Sequence, residues 1–133
     1  MLERLDHLVL TTAQPEVCVQ FYTAVLGMRL EMFGAGRMAL RYGDQKINIH
    51  VIGQHYQPKA HAPAAGTLDL CFIAAVPLET VIARLKEFNI EIIAGPGPRS
   101  GALGTIQSVY IRDPDLNLIE ISVYQSRFIV NLT

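Results

Sequence analysis

The sequence contains little charge and little cysteine, and both shortages exclude classes of protein. Charged residues make up 17% of the 133 residues, and 11 Lys and Arg against 12 Asp and Glu give a net charge of −1. Such a chain lacks the basic excess that nucleic-acid-binding proteins normally carry. Its two cysteines, Cys18 and Cys71, fall within a predicted helix and a predicted strand. We therefore expect two buried free thiols in a protein of the reducing cytoplasm, while a bridge between them remains an alternative.

Long hydrophobic runs are also missing. No apolar stretch reaches the length needed to span a membrane, and the N-terminus lacks a charged segment followed by an apolar one. Half of the residues are nevertheless apolar, so a chain of 133 residues can bury a sizeable core as one domain. The sequence therefore predicts a single domain over residues 1–133, with neither a membrane nor a nucleic acid as partner.

What the chain does contain is a series of short apolar strands and amphipathic helices whose order occurs twice. The first half, about residues 4–53, predicts a helix over 15–27 and strands over 5–11, 28–33, 37–42 and 46–52. A linker rich in proline and small residues follows at 54–66. The second half, about residues 67–125, predicts a helix over 77–89 and strands over 67–73, 90–93, 108–112 and 118–124. Residues 126–133 are expected to be a C-terminal tail.

The repeat is supported by residues that recur at a constant distance along the chain. Pro77 follows Pro15 by 62 positions, and the same distance separates Asp69 from His7. Two β-α-β-β-β units that cannot cover their own sheets alone are expected to pair. The predicted fold is therefore α+β, with a curved, partly open eight-stranded sheet and the helices outside.

A second pair of polar residues is obtained if the number of positions between corresponding residues of the two repeats increases after the long segment at 94–107. A distance of 70 positions pairs His50 with Glu120. Asn48 lies on the same face of its strand as His50, so a small change in register favours Asn48 instead. Four polar residues in apolar strands then form two related pairs.

The stretch from Arg112 to Tyr124 holds the most informative of these residues. Its Asp113-Pro114-Asp115 sequence is typical of a turn, and we interpret the carboxylates as partners of nearby amides rather than as a site. In the strand that follows, Glu120 lies among apolar residues, where a carboxylate needs a cation, a metal ion or several hydrogen-bond donors. Because His7 and His50 lie in related strands, we favour a metal site over the alternative that these polar groups only form hydrogen bonds within the core.

The sequence resembles the vicinal oxygen chelate superfamily, which includes glyoxalases, fosfomycin-resistance proteins and extradiol dioxygenases. Three segments carry this resemblance: LDHLVL at 5–10, FYTAVLGM at 21–28 and RDPDLNLIE at 112–120. Two more, GDQKINIH at 43–50 and GPGPRSG at 95–101, look like the subgroup of glyoxalase domain-containing or virulence-associated proteins. Because the scaffold hosts many reactions, the resemblance alone does not identify one.

The resemblance implies a divalent metal ion in the concave side of the sheet, held by the first and last strands of each unit. The positions that match are His7, His50, Asp69 and Glu120. Nitrogen and oxygen ligands suit Zn²⁺, Ni²⁺, Co²⁺, Mn²⁺ or Fe²⁺. Bacterial glyoxalase I enzymes place a Glu on the fourth strand and a His on the fifth, so the order is exchanged here. Asp69 has the shortest side chain of the four, and Asn48 is the alternative to His50.

The activity that the resemblance implies is that of a glyoxalase-type lyase or isomerase. Its substrate would be a small molecule with neighbouring oxygens, such as the adduct of a 2-oxoaldehyde with a thiol. Glu120 would be both a ligand and the base that moves a proton between adjacent carbons. Two alternatives remain: Fe²⁺-dependent cleavage of a catechol-like diol, and metal-free binding of a small ligand.

Two cations outside the strands are predicted to bind substrate. Arg99 lies in the glycine-rich segment at 94–107, which we interpret as a long loop and possible lid, and its guanidinium could clamp a carboxylate or phosphate. Lys59 in the linker is a weaker candidate of the same kind. An exposed cation without a role is the alternative for both. Because open sheets leave edges to cover, we also expect a homodimer, and the two repeats could pair within one chain or across two.

Overall fold

The computed structural model describes residues 1–125, so the predicted tail at 126–133 lies outside the described residues. It contains eight strands in two four-stranded sheets, and the β-α-β-β-β order occurs twice. The first repeat comprises β1 His7–Thr12, α1 Pro15–Gln20 with a π-helical continuation Phe21–Val25, β2 Arg29–Phe33, β3 Arg37–Tyr42 and β4 Gln45–Val51. The second comprises β5 Asp69–Ile73, α2 Leu78–Glu87, β6 Ala94–Ser100, β7 Thr105–Arg112 and β8 Leu118–Tyr124. The predicted α+β class and its repeat are confirmed.

The two sheets have the same topology. The first has the order β1-β4-β3-β2 and the second β5-β8-β7-β6. In each, the first and last strands of the repeat pair in parallel, whereas the other neighbours are antiparallel. The chain forms two compact units, one of residues 1–68 and 113–117, and the other of residues 69–112 and 118–125. No helix within residues 1–125 is long and apolar enough to cross a membrane.

In each sheet one face is apolar and buried, and this leaves the other face for polar groups. In the first sheet Leu10, Leu40 and Ile47 share a face and are fully buried. In the second sheet the corresponding face carries three fully buried side chains, Val109, Ile111 and Ile119, and α2 packs against these strands. The period-two pattern of the strands produces this division, because alternate side chains point to opposite faces.

The segment that we expected to be a loop at 94–107 is instead largely strand. β6 pairs antiparallel with β7, and the predicted strand at 90–93 is wrong. The Gly95-Pro96-Gly97-Pro98 sequence is typical of a loop, but β6 is an edge strand, where a proline without an N–H is tolerated. The register shifts between Ala94 and Gly97, which is where the Gly-Pro sequence interrupts the ladder. Arg99 therefore lies on a strand and not on a lid.

One of the two thiols differs from the prediction. Cys18 in α1 is fully buried, and burial raises the pKa of its thiol to about 12. Cys71 is exposed, because it points to the polar face of the second sheet and not to the apolar face. Both cysteines are free.

The turn between β7 and β8 belongs to the first unit, although the strands on either side of it belong to the second. Asp113 is buried and accepts a hydrogen bond of 2.6 Å from the Tyr22 hydroxyl. Asn117 accepts one of 2.9 Å from the backbone N–H of Leu68. The carboxylate of Asp115 accepts a hydrogen bond from the hydroxyl of Thr12. The interpretation as turn chemistry is therefore correct, and the turn also forms part of the core of the first unit.

Candidate functional site

The polar face of the first sheet carries the predicted ligands of the first repeat. In the parallel pair of β1 and β4, His7 pairs with Lys46, Val9 with Asn48 and Thr11 with His50. Directly opposed residues of neighbouring strands lie on the same face, so His7, Asn48 and His50 all share this face. The structure thus places His7 and His50 on one side of one sheet, as the repeat predicts.

The register corrects the pairing of His50 with Glu120. In the second sheet Asp69 pairs with Leu118, as His7 pairs with Lys46 in the first. The distance between related residues of β4 and β8 is therefore 72 and not 70, and Asn48 is the residue that corresponds to Glu120.

The same register sets how far apart these side chains are along the sheet. Asn48 lies two residues beyond the partner of His7, or about 7 Å along the strand, whereas His50 lies four residues beyond it, or about 13 Å. Metal–nitrogen and metal–oxygen bonds are about 2 Å long. One metal ion is therefore reached more easily from His7 and Asn48 together than from His7 and His50 together.

His50 and Asn48 are buried polar side chains with orphaned atoms. They are 7% and 6% exposed, and within residues 1–125 neither His50 Nε2 nor Asn48 Oδ1 has a hydrogen-bond partner. The His50 ring is stacked on Tyr56, with centroids 3.7 Å apart and planes 4° apart. Burial lowers the pKa of His50, and the positive charges of Arg37 and Lys59 lower it further. The imidazole is thus neutral near pH 7, the state in which it can bind a metal ion.

Tyr56 is held in place by its own hydroxyl group. The hydroxyl accepts a hydrogen bond of 2.9 Å from the backbone N–H of Val51, the residue that ends β4. It also donates one of 3.1 Å to Gln54 Oε1. The segment after β4 therefore folds back over the ring of His50. The spacing of the strand residues does not reveal this contact, because Tyr56 lies in irregular structure.

Glu120 on the polar face of the second sheet ends a chain of hydroxyl groups. Its Oε2 accepts a hydrogen bond of 2.6 Å from Ser108, and the Ser108 and Ser122 hydroxyls are 2.6 Å apart. Cys71 Sγ lies 3.4 Å from Ser122 Oγ, and partial desolvation of the thiol raises its pKa. Both serines are at most 1% exposed. Their position among apolar residues in β7 and β8, with the period of a strand, is the signal that could have identified them.

Arg99 and Asp69 share the face of Glu120. Tyr110 is paired directly with Glu120 in the β7–β8 ladder, and the guanidinium of Arg99 lies over the Tyr110 ring, 5.3 Å from its centroid. Tyr110 is therefore a neighbour of both residues, of Arg99 through its ring and of Glu120 through the ladder. Asp69, at the start of β5, is exposed. The second sheet therefore brings Arg99, Tyr110 and Glu120 together.

The remaining predicted residues lie at the surface of the first unit. His7 is exposed, and its Nδ1 lies 2.8 Å from Asp6 Oδ2, a hydrogen bond that lowers the pKa of Asp6. Lys59 is exposed in the irregular segment after β4, close enough for its charge to act on His50.

A metal ion is implied by the resemblance, and the donor atoms present are of suitable types. Imidazole nitrogen, amide oxygen and carboxylate oxygen all bind divalent metals, and the orphaned atoms of His50 and Asn48 each need a partner. Each sheet face carries two of the four predicted ligands. Over residues 1–125, however, no three His, Cys, Asp or Glu side chains come close enough to form a metal site. The metal site stays a prediction.

Comparison with known proteins gives a consistent family. A family model described as Glyoxalase/Bleomycin resistance protein/Dioxygenase superfamily matches residues 4–121. Virulence protein STM3117 of Salmonella typhimurium is 46% identical over 124 residues, covering 93% of this chain and 86% of that protein. The match to the crystal structure of that protein covers 94% of this chain and 99% of the crystallised chain, with a TM-score of 0.92.

Two further relatives are equally similar. Glyoxalase domain-containing protein RDO1 of Mycosarcoma maydis is 47% identical over 121 residues, which are 91% of this chain and 68% of that protein. The structure of integron cassette protein VCH_CASS1 of V. cholerae gives a TM-score of 0.92 at 46% identity, covering 94% of this chain and 98% of that one. None of these names states a substrate.

Proposed function

The chain belongs to the Glyoxalase/Bleomycin resistance protein/Dioxygenase superfamily, and on that premise we propose that it is a metal-dependent lyase or isomerase of the glyoxalase type. Its substrate is a small molecule with two neighbouring oxygen atoms. The observation that carries the proposal is the pair of buried, orphaned polar atoms on β4, Asn48 Oδ1 and His50 Nε2. Buried polar atoms are rarely left without a partner unless a ligand, an ion or water supplies it.

The proposed metal ligands are His7, Asp69 and Glu120, with either His50 or Asn48 from β4. The sequence favours His50, whereas the register of the first sheet favours Asn48. A bound divalent metal ion would supply a Lewis acid for two neighbouring substrate oxygens, where negative charge develops during the reaction.

In the proposed reaction Glu120 also acts as the base that moves a proton between adjacent carbon atoms. Its carboxylate is suited to this role because Ser108 donates to Oε2 and so fixes the orientation of the side chain. Ser108 in turn lies against Ser122, which keeps the serine hydroxyl in position. Arg99 and Lys59 are proposed to bind acidic groups of the substrate, and the Tyr110 ring supports the Arg99 guanidinium.

We further propose a cytoplasmic homodimer. Each sheet has two edge strands, β1 and β2 in the first and β5 and β6 in the second, and a second copy of the chain would cover exposed edges. The free thiols of Cys18 and Cys71 fit a reducing compartment.

A matched pair of variants tests which residue of β4 binds metal. If the register decides, Asn48→Ala weakens metal binding by about a hundredfold and His50→Ala changes it by less than about threefold. The reverse result would restore His50, the choice made from the sequence. Calorimetric titration of each variant with Mn²⁺ and Ni²⁺ gives the affinities, and circular dichroism checks the fold. Unchanged affinity in both variants would remove β4 from the metal site.

The reaction itself is tested with the two chemistries that the superfamily allows. We expect the metal-loaded protein to convert the adduct of methylglyoxal and a thiol into a thioester, which is measured as a gain in ultraviolet absorbance. Oxygen consumption with catechols, and no reaction with the adduct, would replace the proposal with a dioxygenase. Ligand binding by metal-free protein without turnover would indicate a binding protein.

A further inference from the structure

The polar face of the first sheet is unusually basic for a chain with a net charge of −1. The register places four cations on this face and only one carboxylate of the strands, Glu31; the cations are Arg29, Arg37, Arg41 and Lys46. Arg41 is neutralised by Glu31, with a distance of 2.6 Å between Arg41 Nε and Glu31 Oε2. The other three cations leave an excess of positive charge on this face. Such a local excess attracts anions even when the whole protein is slightly acidic.

Two of these cations are held by an aromatic ring and not by a carboxylate. The guanidinium carbon of Arg37 lies 4.9 Å from the centroid of the Phe33 ring, and Lys46 Nζ lies 4.0 Å from it. Lys46 also acts at longer range on the Glu31 and Asp6 carboxylates. A ring orients a cation without cancelling its charge, so a cation held in this way can still bind an anion.

Arg37 extends this basic region to His50. Met38 pairs with Ile49, so the next pair along the two strands brings Arg37 opposite His50. The charges of Arg37 and Lys59 both act on His50. Within residues 1–125 no carboxylate lies within ion-pair distance of either cation. The buried Nε2 of His50 has no partner in the same range, so two uncompensated cations and one orphaned nitrogen occur in one neighbourhood.

Arg37 lines a cavity of about 420 Å³, and neither His50 nor Lys59 is part of its wall. Arg37 and Tyr56 both line it, and Tyr56 is the residue stacked on His50. Gln54, His55 and Gln57 also line it, and so do three residues of the apolar face of the sheet, Met38, Ile49 and Val51. Its volume is in the usual range of small-molecule sites.

We propose that Arg37, which lines this cavity, and Lys59, which directly follows the lining residue Pro58, form a subsite for an anionic group of the substrate, a carboxylate or a phosphate. The guanidinium offers a planar pair of donors, and the ammonium group adds a second charge. The inference rests on the proposed function and deepens it, since it locates one binding site for an acidic group of the substrate. It also gives Lys59 a defined partner in this role and adds Arg37, which the sequence did not single out.

Titration with simple anions tests the subsite without a known substrate. Inorganic phosphate and succinate are added separately to ¹⁵N-labelled protein, with chloride at the same ionic strength as reference. The amide signals of Arg37, His50, Tyr56 and Lys59 are expected to shift with phosphate, succinate or both, and not with chloride. The anion with the lower Kd identifies the chemistry of the group. No shift at these residues with either anion would overturn the proposal.

Arg29 provides the matched control, because it is an arginine on the same face of the sheet. Arg37→Gln and Lys59→Gln are expected to raise the Kd of the anion by about tenfold each, and Arg29→Gln by less than about twofold. Equal losses in Arg37→Gln and Arg29→Gln would show a diffuse field and no subsite.

Metal titration separates this inference from the proposed function. Arg37→Gln is expected to bind Mn²⁺ as tightly as the unsubstituted chain, because the arginine is not a ligand. Anion binding at Arg37 without any metal binding would retain the subsite and refute the metalloenzyme. Metal binding without anion binding would refute the subsite alone.

Discussion

Replacing Asp113 by alanine is expected to lower the free energy of unfolding by about 3–5 kcal/mol. The carboxylate is 3% exposed and accepts four hydrogen bonds. The donors are the Tyr22 hydroxyl at 2.6 Å, Asn117 Nδ2 at 2.7 Å, and the backbone N–H groups of Asp115 and Asn117, both at 2.9 Å. Alanine leaves all four donors in the interior without an acceptor, and this is the costly outcome for buried polar groups.

Urea unfolding followed by circular dichroism measures this effect. Glu91→Ala is the control, because it removes a carboxylate from an exposed position, and it should change stability by less than about 0.5 kcal/mol. Tyr22→Phe removes one of the four donors together with its hydrogen bond and should cost about 1 kcal/mol. A loss of under about 1 kcal/mol for Asp113→Ala would show that the turn contributes little to the core of the first unit.

Glu120→Gln is expected to reduce turnover at least a hundredfold, about the lower end of what a general base contributes. Glutamine keeps the length of the side chain and an oxygen that can accept from Ser108, but it has neither the charge of a metal ligand nor the basicity to take a proton. Metal affinity should therefore fall together with turnover, while the unfolding midpoint stays nearly unchanged. The measurements are the methylglyoxal–thiol assay and calorimetric titration with Mn²⁺.

Two further variants separate the role of Glu120 from a general loss of structure. Ser108→Ala removes the hydrogen bond that orients the carboxylate, so it should cost about tenfold in turnover, less than the loss of the carboxylate itself. Glu91→Gln removes a carboxylate elsewhere and should leave turnover unchanged. Full activity in a folded Glu120→Gln protein would exclude Glu120 as base and ligand.

The elements that could be predicted from the sequence are those whose apolar residues alternate regularly. The segment from Leu118 to Tyr124 forms β8 as predicted, and the segment from Arg37 to Tyr42 forms β3 as predicted. β6 could not be predicted from local pattern, because its prolines lack the N–H group that strands use for pairing. Proline is tolerated here because β6 lies at the edge of the sheet. Edge position is a property of the whole sheet, and a single segment does not reveal it.

The sequence suggests which types of residue form the candidate site, but it does not give the register of their strands. Two related strands can be aligned by matching polar residues, and matching His50 to Glu120 gave a plausible but incorrect shift. The pairing of the strands determines the alignment of the two repeats. His7 pairs with Lys46 and Asp69 pairs with Leu118, and these two partners lie 72 positions apart and not 70. The contacts of Tyr56 with His50 and of Arg37 with Phe33 depend on how side chains lean within the fold, and these directions are not encoded in the period of a strand.

Metal binding by the whole chain tests most directly whether this protein is a metalloenzyme. Protein treated with chelator and then dialysed is titrated with Mn²⁺, Ni²⁺ and Zn²⁺, and both the stoichiometry and the Tm are recorded. We expect one ion per chain for at least one metal, with Tm raised by roughly 10 °C at a hundredfold excess over Kd. We also expect His7→Ala to abolish both effects. No binding and no change of Tm with any of the three metals would contradict the proposal of a metalloenzyme.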